Sequence, residues 1–312
     1  MSTRTGAADA RTLRPQSQAG ADERRSWSRT EEVLLSALPY IREFHGQTLV
    51  VKLGGRVLER EEAMDTVAKD LALLRFVGIR PVVVHGGGAE ISGFMERLGM
   101  EPKFVSGLRV TDEATLDLVI MLLGKVNHRL VAALERHGVK GLGLSGGDAS
   151  LLVAKKMKPV AEGGKRVDLG YVGEVETVNP EVLRMGVEGG YIPVVAPVAV
   201  DLSGHSFNVN ADEAAGAIAA ALKARKLLLM TDVDGLLEDP ERPETLVERL
   251  TVAEARERLK RVEGGMAPKL RACVRAAEAG VEAHIINGQK PHALLLELFT
   301  PHGVGTMVSG RK

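Results

Sequence analysis

Cysteine is nearly missing from this chain, which carries one, Cys273, in 312 residues. An intramolecular disulfide framework and a cysteine-cluster metal site are excluded, and this usage fits a reducing compartment. Aromatic residues are scarce too, with 6 Phe, 3 Tyr and 1 Trp, so no platform exists on which nucleic-acid bases would stack. Net charge is absent. The 41 Lys+Arg balance 41 Asp+Glu, which argues against a protein built to coat nucleic acid or an anionic membrane. No apolar run approaches the roughly 18 residues of a membrane span, and the residues before Glu31 hold no hydrophobic signal-peptide core. The expectation is a cytoplasmic protein with neither nucleic acid nor membrane as partner.

Glycine is what the chain has in excess: 35 of 312 residues, roughly 11% against an average of about 7%. Residues 1–27 are polar, small and Arg-rich and read as a disordered tail. Ser28 and Glu31 have capping-box spacing, and Val33, Leu34, Leu38 and Ile41 form an apolar stripe. Residues 28–46 therefore read as a helix, kinked or split at Pro39, whose stripe needs its own domain or a partner subunit to cover it. From Thr48 onward, short β-branched runs alternate with amphipathic stretches. Strands are expected at Thr48–Leu53, Pro81–His85, Leu142–Ser145, Pro193–Val200, Lys226–Met230 and Ala283–Ile286. Between Leu151 and Val178 the helical period is lost and glycines separate short runs, the pattern of inserted hairpins. The predicted class is α/β: a three-layer αβα sandwich around a mostly parallel central sheet, with inserted β-hairpins and two halves meeting near residue 180.

Three glycine pairs or triplets stand where a strand ends: Lys52-Leu53-Gly54-Gly55, His85-Gly86-Gly87-Gly88 and Ser145-Gly146-Gly147-Asp148. Glycine there lets backbone N–H groups face outward and lets an anion approach, and a following helix adds its positive end. Common phosphate-binding designs fail on the letters. Gly86 and Gly88 are followed by Ile91 where the dinucleotide fingerprint needs Gly or Ala, which disfavours a nicotinamide oxidoreductase. The P-loop pattern occurs nowhere. The second half supplies Asn208-Val209-Asn210-Ala211-Asp212, in which two amides on alternate residues can hold a carboxylate or carbonyl, and Asp212 can alternatively cap the helix that follows. Thr231-Asp232 follows a buried strand. Gly265-Met266-Ala267-Pro268-Lys269 puts a cation at a helix start, against the helix dipole, a cost that a functional role explains.

Taken together in this order and spacing, these motifs, with Gly107-Leu108-Arg109-Val110-Thr111-Asp112, Gly124-Lys125-Val126-Asn127 and Asp168-Leu169-Gly170, resemble the amino-acid kinase family. Within it, the chain is similar to the acetylglutamate kinases of the arginine-sensitive type with an N-terminal helix. The resemblance implies ATP-dependent phosphorylation of the side-chain carboxylate of N-acetyl-L-glutamate, a step of arginine biosynthesis, with Mg²⁺ carried by the nucleotide phosphates. It implies Lys52, Lys269 and Asp212 as catalytic residues, Gly54 and Gly55 as phosphate donors, and Gly87, Gly88, Arg109 and Asn208 around N-acetylglutamate. It implies an effector site for L-arginine at His284, Glu297 and Gly303. The other reading of the same residues is Glu297 as a solvated helix acid and His284 as a packed strand residue. The same resemblance divides the chain into an oligomerisation helix (28–46), a lobe binding N-acetylglutamate (47–180) and a lobe binding ATP and arginine (181–312). It implies a homo-oligomer, a hexamer built as a trimer of dimers. The sequence departs from the family pattern at Asn287, Gln289, His128 and Ala267. A kinase-like shell that only binds arginine is the other reading, opposed by the presence of both lysines, Arg109, Asn208 and Asp212.

Overall fold

The computed structural model describes residues 31–239, 241–262, 264–301 and 303–310. The tail read over residues 1–27 and the helix start at Ser28 lie outside the described residues. Helix α1 covers residues 31–44 and runs through Pro39, so the split expected at that proline does not occur. Proline there removes one intrahelical N–H donor, and the helix continues on both sides of it. On α1, Val33, Leu34, Leu35 and Leu38 are exposed. The chain up to Glu43 and the chain from Phe44 onward are two separate compact units.

The second unit begins with β1 (Thr48–Leu53), α2 (Gly55–Glu59), α3 (Glu61–Phe76), β2 (Arg80–His85), α4 (Gly88–Arg97), β3 (Phe104–Val105), β4 (Leu108–Arg109), α5 (Glu113–Arg136) and β5 (Gly141–Ser145). A middle section holds β6 (Leu152–Lys156), β7 (Val160–Glu162), β8 (Lys165–Val167), β9 (Val172–Val178), α6 (Glu181–Glu188), β10 (Ile192–Ala196), β11 (Val198–Val200) and β12 (Ser206–Val209). The remainder is α7 (Ala211–Leu222), β13 (Lys226–Thr231), β14 (Arg249–Thr251), α8 (Val252–Leu259), α9 (Met266–Glu278), β15 (Glu282–Asn287), α10 (Ala293–Phe299) and β16 (Thr306–Ser309).

Eight strands form the central sheet in the order β14-β16-β15-β13-β1-β2-β10-β5, parallel except at β15–β16. Helices cover both faces, as the run of nearly continuous apolar strands requires. Strand β1 lies between β13 and β2, and its Val50, Val51 and Leu53 have no solvent exposure. Lys52 is the one charged residue in this buried strand. It therefore stands at the carboxyl end of the sheet, where open parallel sheets place ligands.

Three expectations are corrected. The run Pro193–Val200 is two strands, because Pro197 cannot donate to a ladder: β10 stays in the main sheet and β11 leaves it. The expected hairpins are more than an insertion beside the sheet. β6, β9, β12 and β11 close into a small four-stranded barrel of mixed parallel and antiparallel pairs, while β7–β8 alone is a simple hairpin. Closure removes the free edges that short strands would otherwise present. The third glycine turn, Gly146-Gly147, leads to a short 3₁₀ turn and then β6, not to an α-helix. Built as alanine, Gly146 would clash with Leu152 and the Val198 carbonyl, so it is a packing glycine.

Candidate active site

Asp212 organises the site. It is the second residue of α7, whose N-cap is Asn210: the Asn210 side-chain oxygen accepts from the N–H groups of Asp212 (2.9 Å) and Glu213 (3.2 Å). Capping is thus done by Asn210, which corrects the reading of Asp212 as the cap and of Asn208 and Asn210 as a matched pair of ligand amides. The Asp212 carboxylate is left for other partners. Lys52 Nζ approaches Oδ1 at 2.7 Å and Lys269 Nζ donates to Oδ2 at 2.9 Å.

Lys269 reaches Asp212 because α7 and α9 pack closely. Eight of the twelve residues of α7 are alanine or glycine, and a Cβ on Gly216 would sit 2.9 Å from the Ala272 carbonyl of α9. The smallness of α7 is what lets the start of α9 carry its lysine to the carboxylate. Burial pulls the Lys52 pKa down and nearby Lys269 adds to this, while Asp212 and Asp232 oppose it. Burial alone would push Asp212 up, but the two lysines hold its pKa below the usual carboxylate value. Lys269 sits where the helix dipole disfavours a cation, and Asp212 supplies the compensating charge.

A pocket of about 200 Å³ opens between Lys52, the Gly86–Gly88 turn, Arg109 and the segment Asn208–Asp212. Arg109 is buried, and burial lowers its pKa. Its guanidinium donates to the Gly88 carbonyl (2.9 Å) and Ser92 Oγ (2.7 Å), contacts Met95 Sδ at 3.2 Å and lies 4.7 Å from the centre of the Phe104 ring. Sequence reading singled out Arg109 but not Ser92, Met95 or Phe104, because helical periodicity tells which face is buried, not which side chain that face supports.

The glycine residues divide by role. Gly55 and Gly88 open α2 and α4, so their N–H groups are among those a helix leaves without an internal partner. Gly54 is different. Its N–H donates to the Met230 carbonyl at 3.0 Å, and a Cβ would lie 2.8 Å from that oxygen. The expected phosphate contact from Gly54 is corrected on this ground: its amide joins β1 to β13. At Gly87 a Cβ would lie 2.8 Å from Leu123, so side-chain packing also requires glycine there.

Beneath this turn, His85 is fully buried and its pKa is pulled down to about 4 by burial. A neutral ring fits the geometry: Nδ1 lies 3.0 Å from the Gly86 carbonyl it donates to, and Nε2 accepts from Asn127 Nδ2 at 3.2 Å. Asn127 also donates to the Val194 carbonyl at 2.8 Å, tying α5 to the turn and to β10.

A larger cleft of about 1120 Å³ lies past the end of β13, between Val233, Leu236 and Leu237 on one side and Arg258, Val262 and Met266 on the other. Met266 is the first residue of α9, three before Lys269. The motifs read from the sequence touch this cleft only at its edges, at Met266 of the Gly265–Lys269 run and at Val233 just past Thr231-Asp232, because its scattered aliphatics carry no motif. Among the described residues no group of three or more His, Cys, Asp or Glu is placed to hold a metal ion, and no helix is long and apolar enough to cross a membrane.

His284, Glu297 and Gly303 are also brought together. His284 Nδ1 lies 2.6 Å from Glu297 Oε1, Val304 N–H donates to Oε2 at 2.7 Å, and Lys226 Nζ lies 3.1 Å from His284 Nε2. A Cβ on Gly303 would collide with the Glu297 carboxylate. Glu297 is buried, so the reading of it as a solvated helix acid is corrected. Asn287 and Lys290 both bond Asp234 Oδ1 at 2.8 Å.

The amino acid kinase family model matches residues 47–287. The acetylglutamate kinase of Methanothrix thermoacetophila is 52% identical over 283 residues, 89% of this chain and 98% of the relative. That of Archaeoglobus fulgidus is 51% identical over 284 residues, with the same shares covered. Among solved structures, N-acetylglutamate synthase from Neisseria gonorrhoeae with coenzyme A and N-acetyl-glutamate superposes with a TM-score of 0.79 at 31% identity, over 90% of this chain and 63% of that one. The same synthase is also known with coenzyme A and L-arginine, at a TM-score of 0.77 and 31% identity, over 90% and 65%. This chain thus spans less than two thirds of the synthase.

Proposed function

The chain belongs to the amino acid kinase family, and from that premise we propose that it transfers the γ-phosphoryl group of ATP to the side-chain carboxylate of N-acetyl-L-glutamate. The products are N-acetyl-L-glutamyl 5-phosphate and ADP, in a step of arginine biosynthesis. The observation that carries this reading is the pair of lysines on Asp212, with Lys52 and Asp212 at the wall of a pocket that also contains Arg109.

A bond forms from the substrate carboxylate oxygen to the γ-phosphorus as the bond to the ADP oxygen breaks. The carboxylate, with a reference pKa near 4.3, is already ionised at neutral pH and needs no general base. The barrier is largely repulsion between two anions, and catalysis becomes positioning and charge neutralisation. Lys52 and Lys269 supply the positive charge, while Asp212 holds their ammonium groups in place. The N–H groups of Gly55 and Gly87 face the phosphates. Gly87, Gly88, Arg109 and Asn208 hold the substrate, with the planar guanidinium of Arg109 suited to a carboxylate.

The nucleotide enters as its Mg²⁺ complex, the ion carried on phosphate oxygens, with its base in the larger cleft beside Met266. The lobe 47–180 provides most of the acetylglutamate site and 181–312 the nucleotide site, although Asn208 and Asp212 reach the first pocket from the second lobe. His284, Glu297 and Gly303 form a site for feedback inhibition by L-arginine. The presence of L-arginine in the synthase structure supports this, as does a buried carboxylate able to take a guanidinium. The exposed apolar residues of α1 support a homo-oligomer, a hexamer as a trimer of dimers. The protein works in the cytoplasm.

The test is release of ADP from ATP and Mg²⁺ with N-acetylglutamate as acceptor, beside aspartate, glutamate, carbamate and UMP. Turnover restricted to N-acetylglutamate is expected. Equal turnover of any other acceptor assigns the chain to a different activity within the family.

A further inference from the structure

We infer that Thr111 is a positioning residue for N-acetylglutamate: its hydroxyl fixes which end of the Asn208 side-chain amide faces the substrate pocket. The inference rests on the assignment of that pocket to N-acetylglutamate. Thr111 has no solvent exposure and lies behind the pocket wall, whereas Asn208 and Arg109 are part of that wall.

The backbone of Thr111 is held on both sides. Its N–H donates to the Leu169 carbonyl at 2.8 Å, and its own carbonyl accepts from the Tyr171 N–H at 2.7 Å. Asn208 is tied to the same segment, its N–H donating to the Tyr171 carbonyl at 2.9 Å. With both backbones anchored, what remains free is the rotation of the Thr111 hydroxyl and of the Asn208 amide.

A hydroxyl has one hydrogen. Thr111 donates it to the Arg109 carbonyl at 3.0 Å, an acceptor that has nothing to give back. Toward Asn208, Oγ1 is therefore an acceptor, and Asn208 Nδ2 donates to it at 3.2 Å. Turning the amide over would bring its carbonyl oxygen against the lone pairs of Oγ1, unless the hydroxyl abandoned Arg109 at the same time. One buried hydroxyl thus holds the Arg109 backbone and the Asn208 amide together. It leaves the second Nδ2 hydrogen and Oδ1 for the ligand. For an acceptor substrate that is an anion, the end of the amide presented decides between attraction and repulsion.

The test measures steady-state kinetics and thermal stability of Thr111→Val, which keeps the branched shape and removes the hydroxyl. The KM for N-acetylglutamate is expected to rise about five- to tenfold, the effect of one neutral hydrogen bond. The KM for ATP and kcat should stay within about twofold, the pattern of lost substrate binding. Thr111→Ser should restore the wild-type KM. Introduced into an Asn208→Ala background, Thr111→Val should add nothing, since the residue acts through that amide. An unchanged KM in Thr111→Val overturns the inference. So does a parallel loss in both substrates accompanied by a lower Tm that Ser fails to rescue, because that is the mark of a structural role. Wild-type protein that neither binds nor phosphorylates N-acetylglutamate overturns the functional reading and this inference with it. An active wild type with an unresponsive Thr111→Val overturns this inference alone.

Discussion

Lys52 Nζ sits 2.7 Å from Asp212 Oδ1, in an ion pair whose side chains are 7% and 5% exposed. A buried pair of this kind costs desolvation on both sides and is weak evidence of stability for its own sake. Its value lies in holding the ammonium groups of Lys52 and Lys269 on one carboxylate. Asp212→Asn removes the carboxylate that both lysines contact. Removing one partner of a buried pair typically costs about 3–5 kcal/mol, so a clear fall in Tm and a fall in kcat are expected together. Thermal denaturation and kcat measured on one preparation check this. A variant with wild-type Tm and kcat removes Asp212 from the account.

The closeness of α7 and α9 gives a second prediction. Gly216→Ala places a methyl group 2.9 Å from the Ala272 carbonyl, so the helices must part. Overpacking of this kind costs about 1–3 kcal/mol, and a shift of about 1 Å at Lys269 is enough to cost on the order of 100-fold in rate. A lower kcat is expected in steady-state assays, because the start of α9 is what carries Lys269 to Asp212; a wild-type kcat would remove this helix contact from the account.

His85 makes stability depend on pH. Burial pulls its folded pKa down to about 4 from the ordinary histidine value of 6.5. Between those values the unfolded chain binds a proton that the folded chain refuses. Stability is therefore complete above about pH 6.5 and falls as pH drops toward 4, by at most about 3 kcal/mol from this residue. Urea titrations from pH 7 to pH 4 measure the slope. His85→Gln should flatten it, and an unaltered slope would show that other groups set the acid limit.

The proposed inhibition by arginine turns on Glu297, whose carboxylate is already bonded by His284 and the Val304 N–H. A guanidinium must join or displace these donors. Glu297→Gln weakens a charge-assisted contact, so the arginine concentration for half inhibition should rise about tenfold or more. Deleting residues 1–46 removes the exposed Val33, Leu34, Leu35 and Leu38. Dimers in place of hexamers are expected by sedimentation, with weaker inhibition. A deletion variant that remains hexameric removes α1 from the assembly.

Much of the scaffold was legible because parallel strands are buried on both faces and read as short apolar runs, as Thr48–Leu53 and Lys226–Thr231 do. A lysine inside the first of these had to be functional or paired, and it is paired. Other features turn on choices that letters leave open. Asn210 and Asp212 are both good caps two residues apart, and only the backbone shows that Asn210 takes the role. Gly54 and Gly55 look alike in sequence, yet the amide of Gly54 is engaged by Met230. Barrel closure by β6, β9, β12 and β11 joins segments from both halves of the chain, and short alternating runs do not encode which edges meet. That closure is also what carries Asn208 to Thr111.

The central claim is that Lys52 and Lys269 neutralise charge in phosphoryl transfer to N-acetylglutamate. The most direct measurement is N-acetylglutamate-dependent ADP release by wild type and by Lys52→Ala. The account predicts acetylglutamate-dependent turnover in wild type. It predicts a kcat reduced about 100- to 1,000-fold in the variant, the scale of one lost transition-state donor, with the KM for N-acetylglutamate little changed. A Lys52→Ala enzyme with wild-type kcat, or a wild type indifferent to N-acetylglutamate, would contradict it.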